Sequence, residues 1–254
     1  MNRYLKIPLK NNVLLHRISI LESNYTYVLE WEQKALVVDP GDAQALLHFI
    51  QEKNLNLINI LCTHHHEDHI GGVNLLKKNT SCSVIGPKDP RIKELDKSVD
   101  EGEQLTIGPL KIDVLSTPGH TKPHICFFLG MQHLLFSGDL LFSVGCGRVF
   151  EGTKEEMYRS LVKVSKLPLQ TLILPGHEYS MGNLEFASKL EPKNENIIQY
   201  RNKIIKNLRD NQPIYPTTLA AEGKINPFLR VSDKDFQKVC GFNGAEPCDV
   251  FAYL

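Results

Sequence analysis

The sequence predicts an α/β protein in which two sheets pack face to face, with helices outside them and a small helical tail. Three observations carry this. Short apolar, β-branched runs alternate with helical patterns at both ends of the first 178 residues. Between those ends the chain turns wholly to strands, spaced about ten residues apart with Gly and Pro turns. From Ser180 the texture becomes helical and is broken by Pro192, Pro213, Pro216 and Pro227.

The elements follow in order. Ile18-Leu21, Tyr25-Glu30 and Ala35-Val38 read as strands separated by Ser23-Asn24 and Glu32-Gln33. Asp39-Pro40-Gly41-Asp42 is a turn, and Asp42 is placed to cap a helix with Ala45, Leu46, Phe49 and Ile50 on one face. Leu57 to Cys62 reads as a buried strand, Gly72 to Lys78 as a helix and Ser83-Ile85 as a strand. Gln104-Ile107, Lys111-Leu115, Ile125-Leu129 and Leu134-Phe136 form the strand-rich middle. Thr153 and Glu156 have the spacing of a capping box, opening a helix with Met157, Leu161, Val162 and Val164 that runs to Lys166. Thr171-Leu174 is one more buried strand. Leu184-Leu190 and Ile197-Leu208 are helical, and a domain boundary is expected near residue 178.

Composition narrows the function. The chain has 254 residues, 42% apolar and 23% charged, the profile of a soluble globular protein. Its 29 basic residues balance 29 acidic ones, which argues against nucleic acid as the main partner. No run of about 18 apolar residues is present, so no membrane span is expected. Met1 to Leu15, with Arg3, Lys6 and Lys10, lacks the apolar core and cleavage site of a signal peptide. The six cysteines lack zinc-ribbon or Cys-x-x-Cys spacing and read as reduced thiols of a cytoplasmic protein. A monomer is expected.

The chemistry starts at Thr63-His64-His65-His66-Glu67-Asp68-His69-Ile70-Gly71-Gly72, in the loop leaving a buried strand. Side chains two apart on an extended segment share a face, so His64 and His66 converge on one ion while His65 turns away. Glu67 is expected to face solvent. Asp68 and His69 diverge and suit a second ion. Three later strand ends, each at a Gly, offer the remaining ligands: His120, Asp139 and His177. His64, His66 and His120 then hold one ion and Asp68, His69 and His177 the other, with Asp139 bridging. Each ion keeps an open position, as a catalytic metal requires. A hydroxide bridging two ions about 3.5–4 Å apart is the expected nucleophile, with Asp68 and Asp139 as the catalytic carboxylates. Nitrogen and oxygen ligands without thiolate suit two divalent ions, zinc first, with iron or manganese as alternatives. His16, His48, His124 and His133 read as structural or solvated, and Cys62 and Cys146 as packing residues.

The pattern His-x-His-x-Asp-His before Gly-Gly, followed by Gly-His, Gly-Asp and Gly-His, resembles the metallo-β-lactamase superfamily. Within it, Thr117-Pro118-Gly119-His120-Thr121, Gly145 to Thr153, Gly176-His177-Glu178-Tyr179 and Asn226-Pro227-Phe228-Leu229-Arg230 resemble the glyoxalase II (hydroxyacylglutathione hydrolase) family. That resemblance implies an αββα sandwich with a dinuclear site at one edge. It implies a catalytic domain over 1–178 and a helical substrate-binding domain over 179–254. The implied reaction is thioester hydrolysis of S-D-lactoylglutathione, with a small glutathione thioester as partner. Arg148 and Tyr179 match residues that contact glutathione, and Phe150 stands where some members have tyrosine. Family members continue past Phe-Ala-aromatic-Leu with an Arg-x-x-Lys pair that grips glutathione carboxylates; the sequence as given stops at Phe251-Ala252-Tyr253-Leu254. A thiol of pKa about 8.5 leaves readily, so no strong general acid is needed. The same fold also serves iron-dependent persulfide dioxygenases, β-lactamases, nucleases and non-enzymatic metal binders. The neutral charge and helical tail argue against the nuclease, and the full ligand set against the binder.

Overall fold

The computed structural model describes residues 4–214 and 216–254, so Met1–Arg3 of the N-terminal segment lie outside the described residues. The first sheet runs in sequence order: β1 (Tyr4–Pro8), β2 (Leu14–Ile20), β3 (Asn24–Trp31), β4 (Lys34–Val38), β5 (Asn56–Leu61), β6 (Ser83–Gly86) and β7 (Lys97–Ser98). Its first four strands are antiparallel neighbours, whereas β4, β5, β6 and β7 pair in parallel. Parallel pairing demands crossovers. These are α1 (Ala43–Glu52) between β4 and β5, and α2 (Glu67–Ile70) with α3 (Val73–Thr80) between β5 and β6. Strand β1 went unread in the sequence because Lys6 and Pro8 interrupt its pattern. Both are residues that a sheet edge tolerates and that discourage further pairing.

The second sheet contains β8 (Gln104–Ile107), β9 (Leu110–Ser116), β10 (Ile125–Leu129) and β11 (Leu134–Gly138). A short hairpin follows, β12 (Leu141–Phe142) and β13 (Gly145–Cys146). Helix α4 (Lys154–Ser165) then crosses over to β14 (Leu172–Pro175), which lies parallel to β11. Both halves of the Thr153–Glu156 capping box are formed at the start of α4. Asp42 caps α1 by accepting from the Gln44 amide. Along α1 the buried face is Ala43, Leu46, Phe49 and Ile50; Ala45, expected on that face, is half-buried, because the face starts one turn earlier at the cap.

Four apolar clusters fix the layers. Leu29, Leu36, Val38 and Leu61 of the first sheet meet Ile112, Val114, Phe127 and Phe136 of the second. The other face of the first sheet packs on Leu46, Phe49, Val73 and Leu76 of α1 and α3. The other face of the second sheet packs on Met157, Leu161 and Val164 of α4. The result is the expected αββα sandwich. The tail comprises α5 (Ser180–Leu190), α6 (Glu195–Arg209), α7 (Leu219–Ile225), α8 (Lys234–Val239) and α9 (Pro247–Tyr253). It joins the α4 layer through Leu219, Phe236, Val250 and Phe251, and has a core of its own around Leu184, Ile197 and Ile204. Because β4 runs with β5, and β9 with β11 and β14, each sheet delivers several strand ends to one edge. Backbone bonds from Tyr25 N to Gly176 O (2.8 Å) and Ile125 N to Thr63 O (3.0 Å) sew the sheets together there.

Candidate metal centre

That edge gathers all seven side chains singled out as ligands. His64 and His66 follow β5, and Asp68 and His69 lie in the single turn of α2. His120 follows β9, Asp139 follows β11 and His177 follows β14. Three ligand trios lie within 4.8 Å: His64, His66 and His120; Asp68, His69 and His177; and His64, His69 and Asp139. The first is strung together by His64 Nε2–His66 Nδ1 at 3.1 Å and His66 Nδ1–His120 Nε2 at 3.0 Å. In the second, His69 Nε2 and His177 Nε2 are 3.3 Å apart, and Asp68 Oδ2 is 3.3 Å from His177 Nε2. Asp139 stands between them, with oxygens 3.3 Å from His69, 3.4 Å from His120 and 3.4 Å from His177.

The protons explain why such crowding suits a cation. His120 Nδ1 donates to Arg148 O at 2.8 Å, leaving a lone pair on Nε2. His69 Nδ1 donates to Asp39 Oδ2 at 3.0 Å, with the same result. The Thr63 hydroxyl donates to Asp39 Oδ2 at 2.7 Å, so it accepts from His64 Nδ1 at 3.0 Å and again frees Nε2. Lone pairs thus face one another around a buried space, a poor arrangement unless a cation shares them. Asp139 Oδ1 is buried without a hydrogen-bond donor, which points the same way. Five imidazoles and two carboxylates fit divalent zinc, iron or manganese. The space is kept open by glycine: a Cβ on Gly176 would come within 2.5 Å of Asp139 Oδ1 and His69 Cε1.

The electrostatics differ between the two trios. Burial pushes the His64, His66 and His120 imidazoles below their ordinary range, the neutral form a metal ligand needs. Burial also opposes charge on His69 and His177, yet neighbouring carboxylates outweigh it and hold both above the imidazole range. Burial alone would raise Asp139, but His69 and His177 hold it well below the carboxylate range. A bond from His177 does the same for Asp68, the most exposed of the four metal-facing residues on the second trio and Asp139, with 41% of its side chain accessible.

The remaining expected residues fall close by. Arg148, Phe150 and Tyr179 line a cavity of about 690 Å³ that opens on His120 and Asp139. The Phe150 ring stands 5.2 Å from His120 and 5.8 Å from His66. Tyr179 stacks on His177 at 4.8 Å. Glu67 is exposed. His65 does turn away, between Asp89 (3.3 Å) and Glu151 (3.6 Å), which Arg91 ties together.

Two residues support the centre, one missed in the sequence and one read only as structural or solvated. Asp39, read as a turn residue, orients His69 and Thr63 from the end of β4. His124 accepts from the Asp139 amide at 3.2 Å while its Nδ1 meets the Thr117 hydroxyl at 2.8 Å; burial lowers its pKa to about 3. It is structural, as read, but it is far from solvated. The available signal was its place immediately before β10, four residues after His120.

Residues 20–177 match the metallo-beta-lactamase superfamily, and residues 178–254 match the hydroxyacylglutathione hydrolase C-terminus. A hydroxyacylglutathione hydrolase of Idiomarina loihiensis is 44% identical over 223 residues, 87% of each chain. The chain belongs to the hydroxyacylglutathione hydrolase family of the metallo-beta-lactamase superfamily. Another hydroxyacylglutathione hydrolase, from Legionella pneumophila strain Lens, is 41% identical over 93% of this chain and 95% of its own length. Among solved structures, ETHE1 from Myxococcus xanthus superposes with a TM-score of 0.65 and 26% identity, covering 94% of each chain. A B3 metallo-beta-lactamase, BLEG-1, gives 0.63 and 26% over 89% of this chain and 99% of its own. Membership in this family accounts for the tail as well as the sandwich, since the C-terminal match begins where β14 has ended.

Proposed function

We propose that the protein hydrolyses S-D-lactoylglutathione to D-lactate and glutathione at a pair of divalent ions, zinc in the first instance. The observation that carries this is a cavity that opens on His120 and Asp139 of the two-trio ligand set and has Arg148 and Tyr179 on its walls. His64, His66 and His120 would hold one ion, Asp68, His69 and His177 the other, and Asp139 both. Such ions supply Lewis acidity and an activated water. The protein's own groups do the rest. Asp39, Thr63 and the Arg148 carbonyl fix the imidazole tautomers, so that no ligand must reorient during turnover. Asp68, hydrogen-bonded by the Asn24 amide at 2.8 Å, presents its exposed side to incoming water.

Arg148 is exposed at the cavity wall and is placed to pair with a glutathione carboxylate. Tyr179 offers a hydroxyl on the wall of the same cavity. Phe150 has none, so this position contributes shape and water exclusion only. Water adds to the thioester carbonyl carbon, its protons pass to solvent, the C–S bond breaks, and the thiolate departs without a protein acid, leaving the carboxylate product. On this reading residues 1–178 form the catalytic unit and 179–254 the substrate wall, to which Tyr179, Met181, Asn183, Leu208 and Ile214 contribute. Six free cysteines fit a reducing, cytoplasmic setting.

The test compares S-D-lactoylglutathione with a lactoyl thioester of a small thiol lacking the peptide. Discrimination of about a hundredfold in kcat/KM, roughly 2.7 kcal/mol, is expected for the glutathione ester. Equal rates on both would refute glutathione recognition, and no hydrolysis of either would refute the reaction.

A further inference from the structure

At the β12–β13 hairpin the helical tail reaches beneath the cavity. Strand β12 starts two residues after Asp139, and β13 runs directly into Gly147 and Arg148. Ser143 and Val144 make the turn between them. Val144 has φ 60°, a left-handed conformation that a β-branched side chain rarely adopts. It is fully buried in the tail's own core with Leu184, Ile197, Ile204 and Ile225. A strained turn persists only where its surroundings overdetermine it.

The tail supplies the determinants. The Val144 amide donates to Glu222 Oε2 at 2.8 Å. Asn226 Nδ2 donates to Gly145 O at 3.0 Å and to the same Glu222 oxygen at 2.9 Å. Asn183 Nδ2 donates to Ser143 O at 2.9 Å, and the Tyr200 hydroxyl meets Ser143 Oγ at 2.8 Å. Glu222 and Asn226 are both fully buried. Packing alone does not call for a carboxyl group inside α7; an apolar residue would fill that space without the desolvation cost. What Glu222 adds is a fixed acceptor for the strained amide.

The consequence runs along the hairpin. Gly147 N donates to Leu140 O at 3.2 Å, and a Cβ at Gly147 would strike Asp139 O at 1.8 Å, so this approach tolerates little movement. On the other arm, the Phe142 ring lies 5.3 Å from Tyr179 and 6.0 Å from His177. Shifting the turn therefore shifts Phe142 and Arg148 together, on two walls of the cavity.

We infer that Glu222 and Asn226 are positioning residues for glutathione thioester binding, acting through the Ser143-Val144 turn to set Phe142 and Arg148. The inference rests on the thioester-hydrolase reading above. Neither residue lines the cavity, and because the His120 Nδ1 bond holds the Arg148 carbonyl in place, their effect falls on the Arg148 and Phe142 side chains, and so on substrate binding more than on metal retention.

The experiment measures kcat, KM and bound metal for the metal-loaded wild type, Glu222→Ala, Glu222→Gln and Tyr200→Phe, with S-D-lactoylglutathione. Glu222→Ala is expected to raise KM about tenfold or more while kcat stays within about threefold and metal content is unchanged. Glu222→Gln keeps an acceptor for the Val144 amide and is expected to bring KM back to within about threefold of wild type. A folded, metal-loaded Glu222→Ala with wild-type KM overturns the inference, as does a Gln variant no better than Ala. Should Glu222→Ala fail to fold, Tyr200→Phe decides: it deletes one hydroxyl bonded to Ser143, and a KM raised about twofold supports the inference whereas an unchanged KM overturns it. A wild type inactive on every glutathione thioester would bring down the parent reading, and that is seen before any variant is compared.

Discussion

Two regions meet at the cavity and are held together by opposite means. On the sandwich side, seven nitrogen- and oxygen-bearing side chains crowd a buried space, and their neighbours Asp39, Thr63 and His124 exist to orient them. On the tail side the wall is largely apolar, with Met181, Leu208 and Ile214, and its buried polar groups Glu222 and Asn226 turn under the cavity to grip backbone. One region is organised around charge and the other around shape. On the function proposed above, turnover and recognition fall to separate parts of this chain, joined at the β12–β13 hairpin. Substitutions in the ligand cluster and the residues that orient it should move kcat and metal retention; those in the tail, and in the hairpin and Arg148 loop that the tail holds, should move KM.

The largest effect is expected at Asp139, which faces both trios. Asp139→Ala should lower kcat by about a thousandfold or more and strip metal from the protein, measured by steady-state kinetics and elemental analysis of one sample. Near-wild-type activity in a metal-replete sample would break the comparison at its strongest point. Asp39→Ala comes next. It leaves every proposed ligand in place but frees His69 Nδ1 and the Thr63 hydroxyl, so metal affinity should fall about 10–100-fold. Excess metal should restore much of its activity; a loss that metal cannot repair would assign Asp39 some other role.

Arg148→Ala should be milder and of the other kind. Losing one charge-assisted contact costs about 1.5–3 kcal/mol, roughly a tenfold or larger rise in KM, with kcat and metal content little changed. A fall in kcat at constant KM would place Arg148 on the sandwich side of the division.

The last effect is on stability and leaves turnover aside. Burial pushes the Glu222 carboxyl up to about 7 from an ordinary 4.5, while the Val144 amide, Asn226, Thr217 and Ser143 face it and pull the other way. The folded state therefore binds this proton more tightly than the unfolded chain. Its contribution is fully present below pH 4.5 and is lost as the pH rises through about 7, by on the order of 3 kcal/mol. Glu222→Gln has no such titration. The stability difference between wild type and variant, from denaturant unfolding of the metal-loaded proteins, should shift against the wild type across that window; parallel curves would show that Glu222 titrates normally.

The same division governs what could be read from the sequence. His64, His66, Asp68, His69, His120, Asp139 and His177 all follow the carboxyl end of a strand, three of them (His120, Asp139 and His177) directly after a glycine, and strand ends are marked locally by composition and turns. The sandwich layers were legible for the same reason, since alternation and capping, as at Thr153–Glu156, are short-range signals. Asp39 was not legible, because its partners come from β5 and α2 and its own segment says only "turn". His124 is one histidine among apolar residues, and only the return of β10 beneath Asp139 gives it a task. Glu222 lies in α7 and Asn226 caps its end, polar residues that composition alone would leave facing solvent; their burial depends on where the hairpin arrives, which no local pattern encodes. Strands β12 and β13, two residues each, are too short to carry periodicity.

The central claim is that two divalent ions, held by these seven residues, are required for hydrolysis of a glutathione thioester. The most direct measurement is a titration of the chelator-stripped protein with zinc while S-D-lactoylglutathione hydrolysis is followed. No turnover is expected at the start, then a rise that levels off at about two ions per chain, the stoichiometry of a two-metal site. Full activity in the stripped protein, or a plateau at one ion per chain, would contradict it.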